Sequence, residues 1–347
     1  MGRLVTYTVC MIYTEGDQIQ EILKAAKHIV IVQADNPDGD SLGSALALED
    51  ILGEMDKQTT LYCGVDIPGY LRYLSGWDRV ERDLPKKFDA SIIVDASTTT
   101  LLEKLNDSGQ LSWIASKPCI VLDHHAIVEN KIDFAAVTLC DDTVSSTGEL
   151  IYSLSQGLGW TVSRLAGKNV MTAILGDTQG LTNDLARAST YSVMSELVTL
   201  GVDRPAIEDL RRAYSKMPPE IYKYKAALIN RTELLAEGQI ATVTIPQSEI
   251  NAFSPLYNPG PLIQNDMLQV TGVRLAIVFK QYTDGKITAA IRANQGSGVA
   301  GDLAGKMGGG GHPFASGFKI AGGKPFNEVK SQCIEFATQL LANATQG

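Results

Sequence analysis

Between residues 28 and 125 the chain repeats one device: a short apolar run, a turn, then a stretch with helical periodicity. The runs are IVIVQ at 29–33, TTLYC at 59–63, ASIIV at 90–94 and PCIVL at 118–122. Continuous apolar runs of this length suit strands buried on both faces. The intervening stretches, such as SLGSALALEDILGEM, PGYLRYLSG and TTTLLEKL, read as helices. Before the first run, DQIQEILKAAKH sets Ile19, Ile22, Leu23 and Ala26 on one helical face. Strand alternating with helix predicts a mostly parallel sheet with helices on both faces, an α/β fold.

Acids and imidazoles stand where these runs end. Asp38 and Asp40 lie in NPDGD after the first run, Asp95 follows ASIIV, and Asp123, His124 and His125 follow PCIVL. Asp177 closes the helical stretch MTAILGD. Open α/β sheets place ligands at the carboxyl ends of their strands. Each piece alone has a bland reading: a turn with a cap for NPDGD, a helix cap for Asp95, a surface loop for DHH. Together on one rim these groups would repel one another without cations. Carboxylate oxygens with one or two imidazoles suit Mn²⁺ or Mg²⁺ rather than a thiolate-type zinc site.

The 347-residue length predicts two domains. Residues from about 146 to 236 read as largely helical, and QIATVTI, VRLAIVFKQY and KITAAIRA then read as strands, with a TDG hairpin between the last two. A glycine-rich stretch and a closing helix, NEVKSQCIEFATQLLAN, follow. The expected division is a first domain over 15–215, a connecting helix or linker over 216–237 and a second domain over 238–345.

Net charge of −9 argues against a surface that tracks long double-stranded DNA or RNA, which needs clustered Lys and Arg. It leaves room for a small phosphorylated substrate whose charge bound metal offsets. Five scattered cysteines without a CxxC pair predict a reduced, cytoplasmic setting. No apolar run reaches membrane-spanning length. MGRLVT formally fits a myristoylation pattern, and NRT and NAT fit glycosylation sequons; without a secretion signal the sequons are chance.

In order, NPDGDSLGSAL, VDAS, LDHH and GDTQG resemble the four motifs of the DHH phosphoesterase superfamily. IRANQGSGVAGDLAGKMGGGGHPFASGF resembles the DHHA1 nucleotide-binding domain that follows in one branch. The arrangement, covering about 17 to 343, is similar to the nanoRNase/pAp phosphatase type. The resemblance implies an N-terminal parallel-sheet DHH domain with flanking helices and a smaller C-terminal α/β DHHA1 domain. It implies a hydrolase using a metal-activated water on short oligoribonucleotides, 3'-phosphoadenosine 5'-phosphate or linear and cyclic dinucleotides, with Mn²⁺ as cofactor or Mg²⁺ in its place. A homodimer is compatible with it.

Carried onto this sequence, the resemblance gives Asp38 to one ion and Asp40, His124 and Asp177 to the other, with Asp95 bridging. His125 would bind the scissile phosphate or donate a proton, and Asp123 would orient the imidazoles. Arg292, Asn294, Gly309, Gly310, Gly311 and His312 would hold the far end of the substrate, the glycines approaching it closely or forming an anion nest.

Two departures stand out. Ala34 occupies the place where the family usually has a histidine, with Gln33 and Asp35 as neighbours that could stand in. This predicts one firm metal site and one weak or substrate-dependent site. In DTQGLTNDLAR, Gln179 and Leu181 replace the family's usual pattern, with Arg187 as a candidate source of charge. VSSTGEL reads as a capped helix start, where a structural role and a ligand contact weigh equally. Tyr70, Tyr73, Trp77 and Trp160 read as packing residues. Rival readings are a regulatory nucleotide-binding protein with weakened catalysis and a single-strand exonuclease; a pyrophosphatase is weaker still.

Overall fold

A computed structural model of the chain describes residues 13–125, 132–254, 258–294, 296–311 and 313–344. It divides into two compact units, Met1–Lys216 and Met217–Gly347.

The first unit opens with α1 (Gly16–Ala25), β1 (His28–Val32), α2 (Gly39–Gly53) and β2 (Gln58–Tyr62). It continues with β3 (Ala90–Val94), α3 (Glu103–Asp107), α4 (Leu111–Ala115), β4 (Cys119–Asp123) and β5 (Val137–Cys140). Helices α5 (Thr147–Leu158), α6 (Arg164–Asp177), α7 (Ala188–Thr199) and α8 (Arg204–Tyr214) complete it. The sheet order is β2-β1-β3-β4-β5, every pair parallel. Along β1 the side chains alternate between two apolar layers: Ile29 and Ile31 join the cluster built on α2, Val30 and Val32 the opposite one. That two-sided burial is why positions 29–32 are all apolar.

β5 was not foreseen. It is an edge strand whose residues alternate between buried and more exposed, so it lacks the continuous apolar run of its neighbours. PGYLRYLSG and TTTLLEKL, expected as helices, form short 3₁₀ turns at Gly69–Leu71 and Thr99–Leu102, the latter running into the five-residue α3; a further 3₁₀ turn, Trp77–Arg79, follows the first stretch. Glycine and proline limit the first of these; the second stretch is too short to sustain helix nucleation.

Small residues let α2, α5 and α6 approach closely. A Cβ on Gly43 would fall 2.8 Å from the Asn169 carbonyl, and one on Gly148 would fall 2.5 Å from Ala173 Cβ. A Cβ built on Gly39 would lie 3.7 Å from Gly176 Cα. This contact joins the start of α2 to the end of α6, the segments bearing Asp40 and Asp177.

The second unit comprises α9 (Pro219–Asn230), β6 (Glu233–Leu235), β7 (Ile240–Pro246), α10 (Gln247–Phe253), α11 (Pro259–Leu268), β8 (Leu275–Gln281) and β9 (Ile287–Ala293). It ends with α12 (Ala300–Lys306), β10 (Gly310–Gly311), β11 (Ala315–Ile320) and α13 (Phe326–Asn343). The mixed sheet runs β10-β11-β9-β8-β7-β6, with β7–β8 parallel and the other pairs antiparallel. Helices α12 and α13 cover one face; α9 and α11 cover the β7–β8 part of the other. Helix α9, assigned from sequence to a linker, buries Ile221, Tyr224 and Leu228 in this second core.

Candidate active site

Asp38 ends the turn after β1 as the N-cap of α2. Its Oδ1 accepts the backbone N–H groups of Asp40 and Ser41, each at 3.0 Å. Asp40, two residues further on in the first turn, is fully buried. Its Oδ1 accepts from Ser44 Oγ at 2.9 Å and Gly148 N at 3.0 Å, and its Oδ2 from Thr147 N at 2.7 Å. The first N–H groups of α5 thus hold this carboxylate, the arrangement a helix N-terminus favours. The VSSTGEL segment therefore has a direct structural part in the site.

Asp95 follows β3 with φ of +57°, a left-handed conformation uncommon outside glycine, asparagine and aspartate. Thr147 Oγ1 donates to its Oδ1 at 3.3 Å. Asp123 ends β4; its Oδ1 accepts His124 N at 2.8 Å, His125 N at 3.2 Å and His125 Nδ1 at 2.7 Å. The geometry ties His125 to Asp123 directly, whereas no hydrogen bond joins the His124 ring to it among the described residues.

His124 is the centre of the constellation. Its Nε2 lies 3.0 Å from Asp177 Oδ2, 3.6 Å from Asp40 Oδ2 and 3.8 Å from Asp95 Oδ1. The nitrogen is buried and makes no hydrogen bond of acceptable geometry. Two sets of donor atoms, each mutually within 4.8 Å, result: Asp40 with His124 and Asp177, and Asp95 with His124 and His125. An orphaned buried imidazole nitrogen among three carboxylates fits a hard or borderline divalent cation. Asp38 belongs to neither set.

The electrostatics express the same crowding. Burial, then the charges of Asp40, Asp38, Asp177 and Asp123, push Asp95 well above the usual carboxylate range. Burial and Asp40 raise Asp177 to about 6 despite its contact with His124. Burial also lifts Asp38, partly offset by its backbone hydrogen bonds. Burial alone would lower His124, but Asp177 and Asp40 outweigh it and raise the ring to about 9. Asp123 is the exception. Burial raises it, yet the His125 hydrogen bond and charge bring it below its ordinary value, and His125 rises chiefly through that bond.

At the Ala34 position no described side chain supplies an imidazole. Ala34 is buried in the apolar layer with Val30 and Val32. Asp35 Oδ2 accepts the Lys104 N–H at 2.7 Å, which directs it away from this role. Gln33 is fully buried, with neither amide atom bonded. Arg187 caps α7 and donates Nη1 to the Asp142 carbonyl at 3.0 Å. Tyr70, read from sequence as packing, is 53% exposed; burial and then the Asp38 carboxylate raise its phenol above the ordinary value.

In the second unit the glycine run packs closely against β11. The N–H of Gly308 bonds the Gly305 carbonyl at 3.0 Å and that of Gly309 the Ala304 carbonyl at 2.8 Å, so neither is available for an anion nest. A Cβ on Gly309 would fall 2.2 Å from the Gly317 carbonyl, and one on Gly311, at φ of +137°, would fall 2.6 Å from Ser316 Cα. These glycines close the β10–β11 pairing. Gly310 alone of the three has open space around it. Asn294 commits both amide hydrogens to the carbonyls of Leu268 and Val273, at 2.9 and 2.8 Å, and braces the chain there rather than presenting a donor. Arg292 is half-buried and donates Nη1 to the Ile291 carbonyl. His312 lies outside the described residues.

Residues 28–178 match the DHH family, N-terminal domain. The chain is 25% identical over 295 residues, 85% of this chain and 90% of the relative, to the probable bifunctional oligoribonuclease and PAP phosphatase NrnA of Streptococcus mutans. It is 22% identical over 302 residues, 84% of this chain and 89% of the relative, to the bifunctional oligoribonuclease and PAP phosphatase NrnA of Bacillus subtilis. An exopolyphosphatase-related protein from Bacteroides fragilis shares the fold, with a TM-score of 0.81 at 23% identity over 94% of this chain and 97% of that one.

Proposed function

We propose that this chain, whose residues 28–178 form a DHH-family N-terminal domain, is a phosphoesterase acting on small nucleotides, dependent on a divalent cation and served best by Mn²⁺. The substrates are short oligoribonucleotides and bisphosphorylated nucleosides such as 3'-phosphoadenosine 5'-phosphate, the activities named for the Streptococcus and Bacillus relatives. The observation that carries the reading is the unpartnered His124 Nε2 facing Asp40, Asp95 and Asp177.

Asp40, His124 and Asp177 would hold the firm ion, with Asp95 reaching toward it. Asp38, outside both donor sets, is left to a weaker second one. When bound, such ions neutralise phosphoryl charge and make water a better nucleophile. Asp123 fixes His125 by accepting a hydrogen bond from its Nδ1–H, and the charge it keeps favours the protonated ring. This leaves Nε2, on a side chain 47% exposed, to bind the phosphate or protonate the leaving oxygen. Three buried thiols, Cys63, Cys119 and Cys333, suit the reducing cytoplasm in which such substrates arise. No helix among the described residues is long and apolar enough to cross a membrane.

The test is hydrolysis of 3'-phosphoadenosine 5'-phosphate, a diribonucleotide, longer RNA and a cyclic dinucleotide with Mn²⁺, Mg²⁺ or EDTA. Asp95→Asn serves as the inactive control. Cleavage of the two smallest substrates with Mn²⁺ alone supports the reading; cleavage of long RNA alone refutes it. A second reading, a nucleotide-binding regulator with weakened catalysis, draws on Ala34, which is packed into the apolar layer, and on Asp35, whose carboxylate is committed to the Lys104 N–H. It gains if the parent is inert and Ala34→His is active.

A further inference from the structure

Helix α6 ends on Asp177, one of the three donors grouped with Asp40 and His124. A helix end leaves its last four carbonyls without a partner inside the helix. Three of the four find backbone N–H groups in the turn that follows. The Ile174 carbonyl accepts Thr178 N at 3.0 Å, that of Leu175 accepts Gly180 N at 2.8 Å and that of Gly176 accepts Gln179 N at 3.2 Å. The fourth carbonyl belongs to Asp177 itself, and a side chain serves it: Asn183 donates from Nδ2 at 2.8 Å, six positions further on. The other end of that amide accepts Leu185 N at 3.2 Å. A flipped amide would set oxygen against a carbonyl and nitrogen against an N–H, so the two bonds together fix its orientation.

The turn between Asp177 and Asn183 is not one that a chain enters freely. Gln179, Gly180 and Leu181 follow one another at φ of +51°, +79° and +71°, a region that a bulky residue such as Leu181 rarely adopts. Such a run persists only where its surroundings hold it. Leu181 N donates to Thr178 Oγ1 at 3.0 Å, and the Tyr191 hydroxyl of α7 donates to the Leu181 carbonyl at 3.3 Å. Asn183 completes the hold by returning to the helix end. Last turns of helices fray. Fraying here would carry the Asp177 carboxylate away from His124 Nε2, which it meets at 3.0 Å.

We propose that Asn183 is a positioning residue of the cation site, its amide holding the last residue of α6 so that the Asp177 carboxylate stays aimed at the space it shares with Asp40 and His124. Asn183 lies in DTQGLTNDLAR, the segment in which the chain leaves the usual pattern of its family. That the held carboxylate is a metal ligand rests on the phosphoesterase reading; the hydrogen bonds of the amide do not.

The experiment titrates the full chain with Mn²⁺ and follows the EPR signal of the free ion, with no substrate present. The variants are Asn183→Ala and the control Thr182→Ala, which removes a hydrogen bond within the same loop, from Thr182 Oγ1 to the Gln179 carbonyl, and leaves Asp177 untouched. Mn²⁺ affinity should fall about tenfold or more in Asn183→Ala, the scale on which groups that orient a metal ligand act. It should stay unchanged in Thr182→Ala, with matched melting curves in EDTA showing intact folds. Should the alanine variant not fold, Asn183→Asp decides. Its carboxylate keeps the acceptor for Leu185 N and cannot donate to Asp177, while its added charge alone would tighten a cation. Binding weaker than wild type then supports the role, and equal or tighter binding overturns it. Unchanged affinity in Asn183→Ala, or an equal fall in Thr182→Ala, overturns the proposal and leaves the metal reading standing. A wild type that binds no Mn²⁺ removes both.

Discussion

Thr147 donates its backbone N–H to Asp40 Oδ2 at 2.7 Å across 107 positions of sequence. The bond explains how a carboxylate can be wholly buried at the start of α2: the N-terminus of α5 supplies its countercharge. It also fixes which way the carboxylate faces, since Gly148 N and Ser44 Oγ hold the other oxygen. The site is thus organised by helix ends as much as by strand ends.

Glu149 secures that turn of α5. It is fully buried; Oε2 accepts Ser145 N at 3.0 Å, Ser145 Oγ at 2.5 Å and Thr190 Oγ1 at 2.9 Å, joining α5 to α7. Glu149→Ala would strand these donors. The expected loss is about 3 kcal/mol, the scale of hydrogen bonds to a buried charge, read from urea unfolding. A loss no larger than that of an ordinary surface substitution would show the carboxylate to be idle.

Asp95 is a case where activity and stability should part. Its ionised form is opposed by burial and by neighbouring acids. Asparagine tolerates the positive φ, so Asp95→Asn relieves charge without straining the backbone. In EDTA the variant should melt a few degrees higher than the parent by calorimetry. With Mn²⁺ the order should reverse, because the parent gains more from the ion. An apo variant that melts lower would contradict the view that these acids repel one another.

Asp123 should act through His125. Asp123→Asn keeps an oxygen for the backbone N–H groups but removes the charge that holds the ring. We expect kcat to fall about 10- to 100-fold, while Mn²⁺ affinity at the Asp40–His124–Asp177 set, followed by EPR, changes little. Metal loss in parallel with kcat would instead make Asp123 a support for the ion.

Much of this was legible because the chemistry sits at strand ends. An apolar run that stops at an acid announces both the strand and the rim, and Asp40, Asp95, His124 and Asp177 do converge. The second unit was harder to read. A glycine run has the same appearance whether it cradles a ligand or closes a hairpin, and only the backbone contacts of Gly309 and Gly311 separate the two. Asn294 had the same ambiguity, its donors being claimed by carbonyls 26 and 21 positions away.

Glu249 predicts an acid-sensitive clip in the second unit. Its carboxylate meets the Arg231 guanidinium and the Tyr224 hydroxyl, the latter at 2.8 Å, fastening α10 to α9. The Arg231 hydrogen bonds, then Tyr224, hold it below its ordinary value of 4.5 against the effect of burial. A carboxyl depressed in the fold gives stability that is complete above its unfolded pKa and lost as pH falls through the folded one. Glu249→Gln should therefore melt below the parent at pH 7, with the gap narrowing as pH drops below about 4.5. A gap independent of pH would mean that packing, not charge, supplies the difference.

Gly309 and Gly310 give the sharpest separation of structure from binding. A methyl group on Gly309 meets the Gly317 carbonyl at 2.2 Å and Phe318 Cα at 2.6 Å, both backbone atoms that cannot move without opening β10–β11. Gly309→Ala should cost about 1–3 kcal/mol, the usual penalty of overpacking. Gly310→Ala has open space and should stay within about 0.5 kcal/mol of the parent. Chemical denaturation measures both, and AMP titration in EDTA shows whether the tolerated methyl blocks a ligand. If Gly310→Ala is the unstable variant and Gly309→Ala the neutral one, the hairpin is not built as described. If instead stability follows the expected order and AMP affinity drops only in Gly310→Ala, the run divides its labour: Gly309 admits the strand and Gly310 admits the nucleotide.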